Sequence, residues 1–232
     1  MGKITILPET TRNPITLMGM RAGCCWNANT SDDKKNYKRG LDCIKSGHGR
    51  VMEYVNVEMI IDGYSARTIR EWYTHVISAT KLQASTRYIN YESFDYVTPS
   101  SIKNNKEALI AYDNIMSIIR LGLIELEACG IPREDIAMAL PLGMTTKIVD
   151  KRNLRSLVDM SRVRMCNRAY REYRQMFNDI YNALREYSDE WKWIVDNLFH
   201  AKCDEVGYCT EIKSCGKRPK LETIENQGFL KV

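Results

Sequence analysis

The longest regular pattern in the chain runs through Ala169, Tyr173, Met176, Phe177, Ile180 and Leu184, apolar positions at helical spacing that predict a long helix with one buried face. A second helix is predicted over 104–129, where Leu109, Ile115, Met116, Ile119, Leu123 and Leu126 form a broad apolar side. Gly130 closes it and Pro132 opens a short helix that ends at Pro141-Leu142-Gly143. Nearer the start, Ser31-Asp32-Asp33 offers caps for a helix over 34–45 with Tyr37, Leu41 and Ile44 in register, stopped by Gly47. The period then drops to two: Val55, Val57, Met59 and Ile61 alternate with Asn56, Glu58 and Ile60, a strand that turns at Asp62-Gly63. Ser65 caps the next helix, through Ile69, Trp72 and Tyr73, and this delivers His75 near its end. Residues 77–84 read as a loop, 88–97 as a second strand rich in Tyr, Phe and Val, and 4–7 as a short strand ended by Pro8. The remainder up to Trp26 is mixed, and the second half reads as helical. The pattern supports a mixed α+β fold.

Composition narrows the class. With 232 residues and 44% hydrophobic content the chain can bury one substantial core, expected as a single domain over 1–216 with a loosely held tail at 217–232. It has no run of about 18 apolar residues, the length a bilayer-spanning helix needs, so no membrane partner is expected. Its start lacks the long apolar core and small-residue cleavage site of a secretory signal, which makes a cytoplasmic protein with reduced thiols the expectation. The net charge of +5 suits an anionic small molecule as well as a nucleic acid.

Several chemistries lack their residues. Gly47-His48-Gly49 is a lone GxG, with Met52 where the third glycine of a dinucleotide fingerprint belongs. The run His200-x2-Cys203-x5-Cys209-x5-Cys215 has no CxxC knuckle, and no metal is expected. Cys24 and Cys25 have no neighbouring histidine in sequence, so a cysteine-protease arrangement has no support.

Two segments do concentrate chemistry. Glu71-Trp72-Tyr73-Thr74-His75-Val76 and Ser85-Thr86-Arg87-Tyr88 gather a histidine, hydroxyls and an arginine beside aromatics. Between Arg152 and Arg174 lie Arg152, Arg155, Arg162, Arg164, Arg168, Arg171 and Arg174, with Arg164, Arg168 and Arg171 expected on one helical face. Arginine recognises phosphate through a planar fork, so the row suits a phosphate ester or pyrophosphate. A solvated face paired with Glu172, Asp179 and Glu186 is the other reading of the same residues.

The first two segments resemble the signature of the flavin-dependent thymidylate synthases, the thymidylate synthase complementing protein family, which runs Arg-His-Arg, seven or eight residues, then Ser, with Arg-Tyr close behind. Asn153-Leu154-Arg155-Ser156-Leu157, Arg164 and Ala169-Tyr170-Arg171-Glu172-Tyr173-Arg174 resemble its second block, and Leu140-Pro141-Leu142-Gly143 its Leu-Pro-Leu segment. The likeness extends over about 47–184. It implies an antiparallel sheet flanked by helices and a homotetramer with active sites shared between subunits. It also implies FAD as cofactor, NADPH as reductant, methylenetetrahydrofolate as one-carbon donor, and reductive methylation of dUMP to dTMP without a nucleophilic cysteine.

By position, the resemblance puts Ser85, Thr86 and Arg87 on the phosphate and sugar of dUMP, and Arg174 on the pyrimidine N3. Glu71, Gln83 and Lys147 are further substrate positions; Thr74, His75, Val76, Arg162, Arg164 and Arg168 are flavin positions. The departures are specific. Thr74 and Val76 stand where the family carries arginines, Glu71 where it carries glutamine, Gln83 where it carries glutamate, Lys147 where it carries arginine, Arg162 where it carries asparagine, and Tyr54 where it carries histidine. Arg162, Arg168 and Lys81 are expected to offset the two lost charges. The alternatives are the same fold with an altered nucleotide substrate or lost activity, and a basic helical nucleic-acid-binding protein.

Overall fold

The structure, a computed structural model, describes residues 2–226. In chain order its elements are β1 (Lys3–Ile6), α1 (Pro14–Gly23), α2 (Asp33–Lys45), β2 (Asn56–Ser65), α3 (Ala66–Tyr73), β3 (Ala79–Gln83), α4 (Ser100–Lys103), α5 (Lys106–Ala128), α6 (Arg133–Ile136), β4 (Thr145–Asn153), α7 (Leu154–Arg164), α8 (Arg171–Tyr187), α9 (Asp189–Leu198), α10 (Lys202–Val206) and α11 (Leu221–Asn226). The strands form one antiparallel sheet in the order β1-β2-β4-β3, so the fold is a mixture of helices and an antiparallel sheet, as the pattern and the resemblance predicted. The chain separates into two compact units. The first holds residues through Ile4, Ile60–Val76 and Thr80–Asp150; the second holds Thr5–Met59, Ile77–Ala79 and the chain from Lys151 onward.

In the first unit Phe94, Met116, Leu123, Ile136 and Met144 pack as one buried cluster. Tyr112 of α5 donates its hydroxyl to the Val97 carbonyl, Tyr96 donates to Asp113, and the Arg120 guanidinium lies over the rings of Phe94 and Tyr96. This aromatic packing explains a correction. Residues 88–97 form turns, with only Tyr96 bridging to Met144, because their aromatic content fits a packed corner as well as a strand. The expected loop at 77–84 contains β3, whose exposed Leu82 and Gln83 give no alternation to read.

In the second unit the predicted stripe is buried from Tyr173 on: Tyr173, Met176, Phe177, Ile180 and Leu184 of α8 are all shielded, as are Trp191, Ile194 and Val195 of α9, while Ala169 lies before the helix and is half-buried. The ring of Phe177 lies 5.8 Å from that of Phe199. Helix α1, unread in the mixed opening segment, starts on Pro14, and its first amides donate to the Glu190 carboxylate, at 2.6 Å from Ile15 and 3.0 Å from Thr16. A methyl group on Gly19 would collide with the Asn36 carbonyl, and one on Gly40 with the Ile15 carbonyl, so α1 and α2 approach through their glycines. Within α1 itself, Gly19 interrupts the apolar pattern.

The second half also holds a strand that the helical reading missed. Along β4 burial alternates as far as Arg152, but the inward positions include Thr146, Asp150 and Arg152 alongside Ile148, so hydrophobicity is silent where geometry is not. Of the expected tail, Lys217 and Arg218 both pair with Asp204, and residues 221–226 form α11; 227–232 lie outside the described residues.

Candidate active site

In the first unit the loop carrying Ser85-Thr86-Arg87 leaves β3, the edge strand beside β4. The pairing continues one step past the strand, with the Ala84 amide donating to the Lys147 carbonyl at 2.9 Å. The Ser85 hydroxyl accepts the Arg87 amide at 3.2 Å, a turn that fixes where the Arg87 side chain starts. Its guanidinium meets Glu134 at 3.1 Å and lies over the Tyr88 ring; Thr86 lines a small cavity with Tyr91, Glu127 and Arg133. Gln83 donates to the Thr146 hydroxyl at 3.3 Å, and Lys147 pairs with Asp62 at 2.8 Å.

The His75 segment is held from both ends of α3. Ser65 caps that helix through the Thr68 amide, and the Ala66 and Arg67 amides donate to the carbonyls of Met144 and Leu142, so the Leu-Pro-Leu stretch seats the helix start. Buried Trp72 donates its indole N–H to buried Asp150 at 2.8 Å. Burial, with Asp150 adding to it, pushes the Tyr73 phenol up. Past the helix, the Thr74 hydroxyl returns to the Glu71 carbonyl and the His75 amide to the Trp72 carbonyl, while Val76 is 69% exposed. Lys81, the residue expected to offset the missing arginines, reaches this stretch: its ammonium donates to the His75 carbonyl at 3.1 Å and sits 4.9 Å from the Tyr73 ring centre. Thus Lys81 ties the His75 turn to β3, the strand that runs into Ser85.

In the second unit the arginine row breaks up. Arg152 is wholly buried in β4, Arg155 pairs with Glu53, Arg162 and Arg164 end α7, Arg168 lies between helices, and Arg171 and Arg174 begin α8. The single helical face expected for Arg164, Arg168 and Arg171 does not exist, because the helix stops at Arg164 and a new one starts at Arg171. Asn153 explains the family-like block before it: its side chain accepts the Ser156 amide at 2.9 Å and caps α7.

What the break produces is a cavity of about 320 Å³ lined by Arg162, Arg164, Asn167, Arg168, Lys202 and Arg218, among others. Arg164 lies over the Tyr173 ring at 4.5 Å, and Arg174 donates to the backbone carbonyl of Asn167, which brings it to the same junction. The lining is strongly cationic and includes guanidinium forks, which fits a pyrophosphate-bearing cofactor such as FAD. Among the described residues no set of His, Cys, Asp and Glu converges as a metal-binding group.

The sequence reading missed the carboxylates. Glu134 holds Arg87, Asp62 holds Lys147, Glu205 and Asp159 hold Arg162, and Glu211 holds Arg168. Apart from Asp159, three residues before Arg162, these partners are distant in sequence, so no spacing rule announces them.

Cationic clusters on a frame of helices and an antiparallel sheet describe a chain built to hold anionic ligands. The family model described as thymidylate synthase complementing protein matches residues 7–188. The chain belongs to that family. It is 28% identical to the flavin-dependent thymidylate synthase of Nitratidesulfovibrio vulgaris, over 86% of this chain and 84% of that one. It is 28% identical to the enzyme of that name from Clostridium tetani, over 97% of each, and 31% identical to that of Pyrococcus horikoshii, over 72% and 70%. A crystal structure of the flavin-dependent thymidylate synthase ThyX from Helicobacter pylori, in complex with FAD and dUMP, shares the fold with a TM-score of 0.67 at 17% identity, covering 85% of this chain and 99% of that one.

Proposed function

We propose that this chain is a flavin-dependent thymidylate synthase that converts dUMP to dTMP, with FAD as cofactor, NADPH as reductant and methylenetetrahydrofolate as one-carbon donor. The observation that carries the reading is family membership across residues 7–188, a span that contains every residue assigned below. Bound FAD would supply the redox chemistry. The chain's own part is to orient and to stabilise charge. Arg87 offers its fork to the nucleotide phosphate, with Ser85 and Thr86 on the phosphate and sugar and Glu71, Gln83 and Lys147 as further substrate contacts. Arg174 stabilises the pyrimidine anion at N3 with a permanent cation. His75, with Thr74 and Val76, faces the flavin ring, and Arg162, Arg164 and Arg168 hold its phosphates. Arg162, Arg168 and Lys81 supply the charge absent at Thr74 and Val76.

The assembly in this reading is a homotetramer whose active sites take the Ser85 loop from one subunit and the Arg164–Arg174 junction from another. Helix α5 supports it: Ile110, Ile118, Leu121 and Ile124 are all exposed on the side away from buried Met116 and Leu123, a surface a second copy would cover. The altered-substrate reading is favoured by one observation, the uncharged Thr74 and exposed Val76 at the arginine positions. Against a nucleic-acid module stands the arginine row itself, which is split between elements and partly buried.

The test is an absorption spectrum of the purified protein titrated with FAD, followed by oxidation of the reduced flavin with and without dUMP and methylenetetrahydrofolate. The expected result is a yellow complex whose reoxidation yields dTMP only with both substrates. A yellow protein indifferent to dUMP supports the altered substrate, and no flavin uptake overturns both enzyme readings.

A further inference from the structure

The cavity beside Arg162, Arg164 and Arg168 is lined on its other side by residues 201–218, which lie beyond the part of the chain the family model matches. Two carboxylates of this segment sit on the flavin-position arginines. Glu205 meets Arg162 fork on fork, at 2.8 Å from Nε and 2.9 Å from Nη2, and Glu211 meets Arg168 at 2.6 Å. A carboxylate and a phosphate use the same guanidinium edge, because each presents paired acceptor oxygens to parallel N–H groups. A phosphate-bearing ligand and these glutamates are therefore rivals for Arg162 and Arg168.

The four side chains are 38% to 50% exposed, and ion pairs this open are weak enough for a multiply charged ligand to displace. The segment is also cross-linked within itself by contacts that do not involve those arginines. Lys217 and Arg218 pair with Asp204 at 2.5 and 3.3 Å, and the Cys209 amide donates to the Pro219 carbonyl at 2.7 Å. Burial raises the Asp204 carboxyl, but Lys217 and Arg218 outweigh it and hold the group below its usual range, so this inner clamp stays charged at neutral pH. Letting go of Arg162 and Arg168 thus need not unfold the segment, and Lys202 remains on the cavity wall to meet the incoming charge.

We propose that residues 201–218 are a built-in gate on the arginine cluster: Glu205 and Glu211 occupy Arg162 and Arg168 until a dinucleotide pyrophosphate exchanges for them. The gate rests on the flavin reading above. It is tested by FAD fluorescence quenching with the full chain, comparing wild type, the double variant Glu205→Gln with Glu211→Gln, and Glu186→Gln, a control carboxylate on α8 outside the cavity lining. The double variant is expected to bind FAD about three- to tenfold more tightly at low ionic strength, the control to match wild type, and the gain to shrink as salt screens the pairs. Equal or weaker binding by the double variant, or an equal gain in the control, overturns the gate while leaving the flavin reading intact. If none of the three binds FAD, the flavin reading fails and takes the gate with it.

Discussion

Helices α5 and α8 carry similar apolar patterns and meet opposite fates. In α8 the stripe Tyr173, Met176, Phe177, Ile180, Leu184 is fully buried within its own unit. In α5, the longer of the two, the buried residues are Met116 and Leu123, while Ile118 is 68% and Leu121 61% exposed. Periodicity announces that a helix has an apolar face, but not whether the chain itself provides the cover. The difference separates a helix that makes the unit stable from one whose surface asks for another molecule, and the proposed tetramer assigns that molecule as a second copy.

The largest effect should come from emptying the α8 side of the comparison. Phe177→Ala removes a ring shielded among its neighbours and packed beside Phe199, at an expected cost of about 3–5 kcal/mol in chemical unfolding. A loss under about 1 kcal/mol would mean that α8 is no more essential than α5. On the α5 side, Ile118→Asp is expected to leave unfolding of the isolated chain within about 0.5 kcal/mol of wild type while weakening self-association by about 2 kcal/mol, read by sedimentation. Unchanged association would remove the α5 face from the interface.

The smallest effect is a pH dependence at the link that holds α5 to its own unit. The hydrogen bond to Asp113, then burial, raises the Tyr96 phenol above its ordinary value of 10.0. A raised folded value means the protonated phenol is favoured by folding. Its contribution is therefore whole below about pH 10 and is lost as pH climbs through the folded value. Tyr96→Phe should lose that contribution at pH 7 and flatten the fall in stability at alkaline pH; an unchanged profile would dismiss the link.

What the sequence disclosed follows the same division. The α8 stripe, the Ser65 cap of α3 and the α2 caps were legible because each is a local rule whose residues are neighbours in the chain. Strand β4 was not, since its inward Thr146, Asp150 and Arg152 are polar, and α1 was hidden where Gly19, which its neighbour requires, interrupts its apolar pattern. At the site, motif spacing singled out Ser85, Arg87, His75 and the arginines. It could not show that the helix breaks after Arg164, nor that Glu134, Glu205 and Glu211 would come from distant segments to hold the cations. Counter-charges are chosen by tertiary proximity, which leaves no period to read.

The central claim, that one subunit's Ser85 loop works with another's arginine junction, is tested most directly by mixing two inactive chains. Arg87→Ala and Arg174→Ala should each abolish most dTMP formation alone, one by losing the phosphate contact and the other by losing the cation at the pyrimidine. Unfolded together and refolded as mixed assemblies, they should recover about a quarter of wild-type activity, because random pairing across a subunit boundary joins two intact halves in that share of sites. Mixed assemblies that stay as inactive as either parent would place both arginines in a site made by a single chain and contradict the account.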